Sequence, residues 1–293
     1  MKRINRCFLF FLPLAMLLAT SCSTIKSTTG KAGTQLAYKV GSGQSFTMKS
    51  EGSSTIKTEQ MGESITVEMN SANETAYRVS AGSSDGTMQY EMEFKARKQS
   101  AKSQMGNNET DYSTWIGKKV GFSLSPRGVL SDFRGFDQLP EIAGATGEKV
   151  TGELVQKGMS DHFFKLPDHP VKIGETWAIK DSAGIPYGGS TLKKVGTTTY
   201  SAVEKVNIDG SDCFKIDITA IEKLSGEFEQ QGTQIELTRE KTSTGVIYFA
   251  LDKGMYISME STSVGSSQIY VAAAGITIPQ EIKSKLSLNV VFD

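Results

Sequence analysis

The feature that most constrains this chain is a strict two-residue alternation. Met88–Gln89–Tyr90–Glu91–Met92–Glu93–Phe94–Lys95 sets four large apolar residues against Gln, Glu, Glu and Lys. A helix would spread these residues around its circumference, whereas a strand collects the apolar set on one face and the polar set on the other. Phe46–Thr47–Met48, Ile65–Thr66–Val67–Glu68–Met69 and Phe214–Lys215–Ile216–Asp217–Ile218 obey the same rule. Turn signals separate such runs, among them Pro126–Arg127–Gly128, Asn207–Ile208–Asp209–Gly210 and Asp252–Lys253–Gly254. With 29 Gly and 38% hydrophobic residues, the composition suits a turn-rich folded chain rather than a disordered one. The expected fold class is therefore mainly β, built of large antiparallel sheets.

The alternation breaks once, between residues 136 and 170. There Val150, Leu154, Met159 and Phe163 recur near helical spacing, with Glu148 and Glu153 placed early. That predicts one short helix ending before Pro167. The resulting organisation is a first antiparallel β module at 37–135, a helical joint at 136–170 and a second β module at 171–293. The two modules echo each other. Val171–Lys172–Ile173–Gly174 before Trp177 resembles Tyr38–Lys39–Val40–Gly41 before Phe46, and both halves later turn at a glycine, Gly128 and Gly254. Two related half-barrel or sandwich-like modules, or a chance likeness among Gly-rich strands, both fit that echo. Within the second module the apolar runs predict short strands, at 200–206, 214–218, 235–237, 269–271 and 286–292. Residues 279–285 read as at most one helical turn, and 99–111 as a loop or long hairpin tip.

The N-terminus carries a different message. Lys2, Arg3 and Arg6 precede an apolar run from Cys7 to Leu18, closed by Ala19–Thr20–Ser21–Cys22. The run is too short to span a bilayer and has the order of an export signal. A retained anchor and cleavage at an ordinary small-residue site are the alternatives. The ending resembles the bacterial lipobox, in which a cysteine is joined to diacylglycerol and the segment before it is removed. Ala19 stands where that box usually has Leu, and the Ser–Cys ending is similar to those of Bacteroides-type lipoproteins. The resemblance implies a signal peptide at 1–21, lipid attachment (palmitate-type acylation) at Cys22 and a flexible tether at 22–36. Two or three acyl chains would hold the protein stably at a membrane, where one binds marginally. The absence of an acidic cluster after Cys22 implies by the same resemblance a lipoprotein facing the periplasm, and Ser23 in second place favours the outer membrane under the sorting rule of enterobacterial lipoproteins. Cys213 would then be the one thiol of the mature chain. Its alternating context reads as a small buried hydrophobe, with no disulfide partner.

Chemistry is harder to find. Lys and Arg number 32, as do Asp and Glu, so nothing in the charge balance recruits nucleic acid. Gly82–Ser83–Ser84–Asp85–Gly86 spells a hydrolase elbow, but strands flank it on both sides where the elbow needs a strand followed by a helix. His162 and His169 lack a third ligand at metal-binding spacing and read as exposed or half-buried residues, so no metal is expected. Lys95, Arg97, Lys98 and Lys102 read as a solvated basic run. No phosphate loop or cofactor fingerprint occurs, and the expectation is a protein that is not an enzyme and carries no cofactor. Met48, Met69, Met88, Met92, Met255 and Met259 occupy apolar strand positions with Tyr90 and Phe94. Flexible, polarizable Met faces suit a cleft for a lipid or another hydrophobic ligand, and equally an ordinary core. A sheet so lined and closed by a helix would resemble the half-barrels of lipoprotein carriers.

Two further resemblances concern short motifs. Asp181–Ser182–Ala183 is similar to the O-glycosylation motif of Bacteroides-type periplasmic proteins, which marks Ser182 as a glycan site. Trp115–Ile116–Gly117–Lys118, Ser125–Pro126–Arg127–Gly128–Val129 and Gly174–Glu175–Thr176–Trp177 resemble uncharacterised Bacteroides-type outer-membrane lipoproteins with a domain of unknown function. That family implies no activity and no site. The sequence therefore supports a membrane-anchored, non-enzymatic binding or scaffold module with envelope protein partners. The alternative is a carrier of a hydrophobic ligand.

Overall fold

A computed structural model describes residues 33–293 apart from Met61, Met105, Gly188, Gly189 and Gln231. Cys22, the signal segment and most of the tether lie outside the described residues. Residues 33–293 form one compact unit. In chain order the strands are β1 (Ser45–Gln60), β2 (Glu63–Ser80), β3 (Met88–Ser103), β4 (Gly106–Glu109), β5 (Lys119–Leu124) and β6 (Leu130–Arg134). The joint contributes β7 (Ile142–Ala143), β8 (Lys149–Val150) and helix α1 (Gly152–Gly158), followed by a 3-10 turn at Met159–Asp161. Then come β9 (Thr176–Tyr187), β10 (Ser190–Ile208), β11 (Ser211–Gln230), β12 (Thr233–Ala250), β13 (Met255–Val271) and β14 (Ile276–Phe292).

Twelve of these strands make a single antiparallel sheet, in the order β6-β5-β3-β2-β1-β14-β13-β12-β11-β10-β9, with β4 added beside β3. β6 and β9 form its two edges, so the sheet stays open. The mainly β, antiparallel reading with one short helix holds. Strands from 37–135 and from 171–293 share this one sheet, meeting where β1 pairs β14 from Phe46–Phe292 to Thr58–Gln280.

Each half is a meander running the same way across the sheet, and both start with the same local geometry. Gly43 N donates to Val79 O, the Gln44 side chain accepts from Gly41 N, and Phe46 stacks on Tyr77 at 4.8 Å. In the second half Gly174 N donates to Ala202 O, the Glu175 carboxylate accepts from Lys172 N, and Trp177 stacks on Tyr200 at 5.3 Å. The hairpin at Asn207–Gly210 also forms as read. Asp209 and Gly210 take φ of 50° and 84°, the left-handed pair that a tight two-residue turn demands.

Strand length is where the structure departs from the apolar pattern. β11 runs 20 residues, not the five of its apolar segment, and β14 runs through 279–285, which read as a helical turn. In β11 the inward Leu224 and Phe228 are separated by Gly226 and flanked by Ser, Glu and Lys, and in β14 Ile276, Ile278 and Ile282 keep the alternation but are interrupted by Pro279 and Gln280. Pro279 is accommodated because β1 accompanies β14 only as far as Gln280, leaving Pro279 with β13 as its one partner. Within 99–111, Ser100–Ser103 pair with Gly106–Glu109 as the β3–β4 hairpin.

The main core sits at one end of the inner face. Phe46, Tyr77, Tyr90, Phe122, Phe214, Phe249 and Leu288 point inward there, and the joint lays Phe163 and Phe164 across them. Trp115, fully buried, ties the 110–118 loop to the joint by donating from Nε1 to Pro140 O at 2.8 Å. Toward the opposite end the inner face carries half-buried Ser54, Ser71, Ser261 and Ser284, then a small second cluster of Leu192, Phe228 and Leu237.

Candidate functional site

α1 roofs the boundary between the packed and polar parts of the inner face. Thr151 caps it, its Oγ1 accepting from Leu154 N at 3.3 Å, and Glu153 pairs with Lys157 one turn on. Gly152 lets the first turn press against the preceding segment, since a Cβ there would stand 1.8 Å from Phe136 O. Between this roof and the sheet lies a cavity of about 210 Å³. Met48, Met92 and Phe94 form its apolar floor, and Leu154, Val155 and Met159 line it from the joint. Ser50, Asn73, Arg97 and His162 supply its polar wall.

These polar groups are unevenly satisfied. Asn73 Nδ2 donates to Ser50 Oγ at 3.1 Å. The Tyr256 hydroxyl donates to His162 O at 2.7 Å, fixing the backbone of the joint. The His162 ring is left with Nδ1 shut off from solvent and without a partner. Burial pulls its pKa below the ordinary 6.5, and the charge of Arg97 adds to that while Asp161 opposes it. The Arg97 guanidinium lies 4.7 Å from the Tyr112 ring centre and 5.6 Å from that of Trp115. Among the described residues no carboxylate stands within ion-pair distance of it.

No family model matches the chain, and no curated protein does. Among solved structures, a DUF1329 family protein from Desulfovibrio piger is similar over 84% of this chain and 85% of that one, at 9% identity and a TM-score of 0.15. So low a score bears on neither the fold nor the cavity.

Of the residues singled out in the sequence, the structure brings Met48, Met92 and Phe94 together around the cavity. Tyr90 lies in the aromatic core, stacked on Phe122 at 5.2 Å. Met255 and Met259 are buried in that core, Met88 packs at its margin, and Met69 stands half-buried on β2 opposite Ser54. Ser182 is exposed on edge strand β9. Cys213 is fully buried, and burial pushes its thiol pKa up. The elbow-like Ser83 sits in the exposed turn between β2 and β3, bonded to Asp85. Among the described residues no helix is long and apolar enough to cross a membrane, and no three His, Cys, Asp or Glu side chains converge on a metal-sized site.

Arg97 is the residue the sequence reading placed wrongly. Simple alternation from Phe94 puts Ala96 and Lys98 inward and Arg97 out with the solvated lysines. A bulge at Lys95 intervenes: Phe94 faces Thr75 but Ala96 faces Glu74, so the faces exchange and Arg97 pairs with inward Asn73. Lys95, Lys98 and Lys102 are exposed as expected.

The two histidines give a direct check on the site. His169 is exposed between Asp168 (3.1 Å) and Glu175 (2.6 Å), and hydrogen bonds to both carboxylates raise its pKa above 6.5. Its contribution to stability is complete below the unfolded-state value and is lost as pH rises through the raised value. His162 has the opposite sign: its contribution is complete above 6.5 and is lost as pH falls toward its depressed value. An NMR pH titration is expected to show two imidazoles moving in opposite directions from 6.5, with the lower one absent in His162→Gln. Coincident midpoints would contradict the buried placement of His162.

Proposed function

We propose that this chain is a non-enzymatic envelope lipoprotein, anchored through Cys22 and facing the periplasm, whose β body binds a small hydrophobic ligand beneath α1. The observation that carries the ligand reading is the cavity itself: three apolar sheet residues, two of them Met, face a helical roof across about 210 Å³ of open space. The cleft opens to solvent at one side, so apolar side chains there stay uncovered unless something enters it. The anchor is supported by the lipobox-like ending at Cys22 and the polar tether behind it. Partners among envelope proteins would reach the body through its exposed surfaces.

Native mass spectrometry of the full chain carrying Cys22→Ala, isolated from envelope extract, tests the ligand reading. An acyl or similar apolar adduct is expected, and it should vanish in Gly158→Leu. Gly158 lines the cavity and a Cβ there meets nothing within 4 Å, so the added side chain fills space without displacing backbone. A chain that is consistently free of adduct, or an adduct indifferent to Gly158→Leu, would remove the cavity from the account. The anchor has its own test, because Cys22→Ala should release the protein from the membrane fraction.

A further inference from the structure

We infer that the cavity beneath α1 takes a carboxylate-headed amphiphile, with the head at Arg97 and the apolar tail along Met48, Met92 and Phe94. The inference rests on the reading of this cavity as a ligand site and names what enters it.

Arg97 is the starting point. A guanidinium stays charged at any physiological pH, and Arg97 holds that charge half-buried at the wall of an apolar-floored cavity. Among the described residues no carboxylate accompanies it. The rings of Tyr112 and Trp115 hold the guanidinium by its π-faces, an arrangement that uses its charge but leaves its planar fork of N–H donors free. Trp115 is itself fully buried and tied to Pro140 O, so the platform under Arg97 is rigid.

A buried, unpartnered polar atom faces the same space. His162 Nδ1 is buried and unpartnered, and as the N–H tautomer it requires an acceptor. Arg97 and His162 line the same cavity, so a ligand beneath α1 can meet both. An ionised carboxylate is acceptor-only and can take the fork of a guanidinium on both oxygens. It therefore supplies an acceptor for His162 Nδ1 and a partner for the fork of Arg97.

The apolar floor and the size fix the rest. An inorganic anion would satisfy Arg97 and leave Met48, Met92 and Phe94 facing empty space. At about 210 Å³ the cavity is smaller than the ~300–1,000 Å³ of sites for drug-sized ligands, so it suits a short chain or the end of a longer one. A medium-chain carboxylic acid has both parts.

The test is calorimetric titration of the full chain carrying Cys22→Ala, so that no attached acyl chain competes, with octanoate, 1-octanol and inorganic phosphate. Octanoate is expected to bind about tenfold or more tightly than octanol, the increment of a charge-assisted hydrogen bond. Arg97→Gln should bring octanoate down to the level of octanol without changing octanol, which also reports that the cavity is intact. Arg97→Lys, which keeps the charge and loses the fork, should retain part of the preference. Equal affinities for octanoate and octanol in the parent would overturn the anionic head while leaving a hydrophobic cavity. Phosphate binding as tightly as octanoate would overturn the tail. Binding of none of the three would overturn the cavity reading together with this inference. Equal weakening of octanoate and octanol by Arg97→Gln would reduce Arg97 to a structural part.

Discussion

Phe163→Ala is expected to lower the unfolding free energy by about 3–5 kcal/mol, the range of large-to-small aromatic substitutions in cores. Phe163 is 1% exposed and comes from the joint, not from the sheet it packs on. Its ring meets Phe122 at 5.5 Å, Tyr38 at 6.0 Å, Tyr90 at 6.1 Å and Tyr77 at 6.2 Å. Aromatic pairs at such spacings contribute ~0.5–1.5 kcal/mol each beyond the area they bury, so the site has more to lose than an isolated side chain. Domains are stable by ~5–15 kcal/mol in all, and this one change would consume a large part of that. The loss falls on the attachment of the joint, which carries α1 and hence the roof of the cavity. Urea unfolding followed by tryptophan fluorescence measures it, because Trp115 and Trp177 lie on either side of the joint's contacts. Phe163→Leu should cost less, since it keeps most of the volume. A loss below about 1 kcal/mol for Phe163→Ala would mean that the joint rests on the sheet without sharing its core.

How much of this was legible depends on what each residue reports. Alternation at Met88–Phe94 identified the inner face because burial on one side writes a period of two into the sequence. The turn at Asn207–Gly210 was equally legible, since few residues accept two successive positive φ values. The joint was visible in Leu154 and Met159, which must meet the sheet from a helix. The lengths of β11 and β14 were not visible. Their outer halves do carry apolar residues, Phe228 in β11 and Ile282 in β14, but these are spaced among Gly, Ser, Glu, Lys and Pro so that the backbone ladder, which leaves no side-chain signature, supplies the continuity. The polar wall of the candidate site was hidden for a different reason. A bulge shifts the ladder by one residue at Lys95, and nothing in Phe94–Lys95–Ala96–Arg97 distinguishes a bulged strand from a regular one. The residue whose placement decides the chemistry of the cavity is thus the one whose face the pattern reverses.

The second large effect is expected at Gly128, in the turn between β5 and β6. Gly128→Ala should destabilise by on the order of 2–5 kcal/mol, combining a left-handed backbone cost with overpacking. Its φ is +81°, and an added Cβ would stand 2.3 Å from Phe164 O and 3.0 Å from the Tyr38 ring. Three segments meet there. Tyr38 N donates to Pro126 O and Leu166 N to Arg127 O, both at 2.9 Å, while the Tyr38 hydroxyl donates to Phe164 O. The turn therefore clamps residues 34–40 and the end of the joint to the sheet, and the missing Cβ is what allows their approach. Gly43 separates the two contributions. It has φ +84°, and a Cβ added there would meet nothing within 4 Å, so Gly43→Ala should lose only the backbone cost of about 1–2 kcal/mol. Chemical denaturation of the two variants side by side reads the difference, which belongs to the clamp alone. Equal losses would show that Tyr38 and Phe164 yield to a methyl group, and the joint would then be held by Phe163 and its ring contacts and not by the turn beneath it.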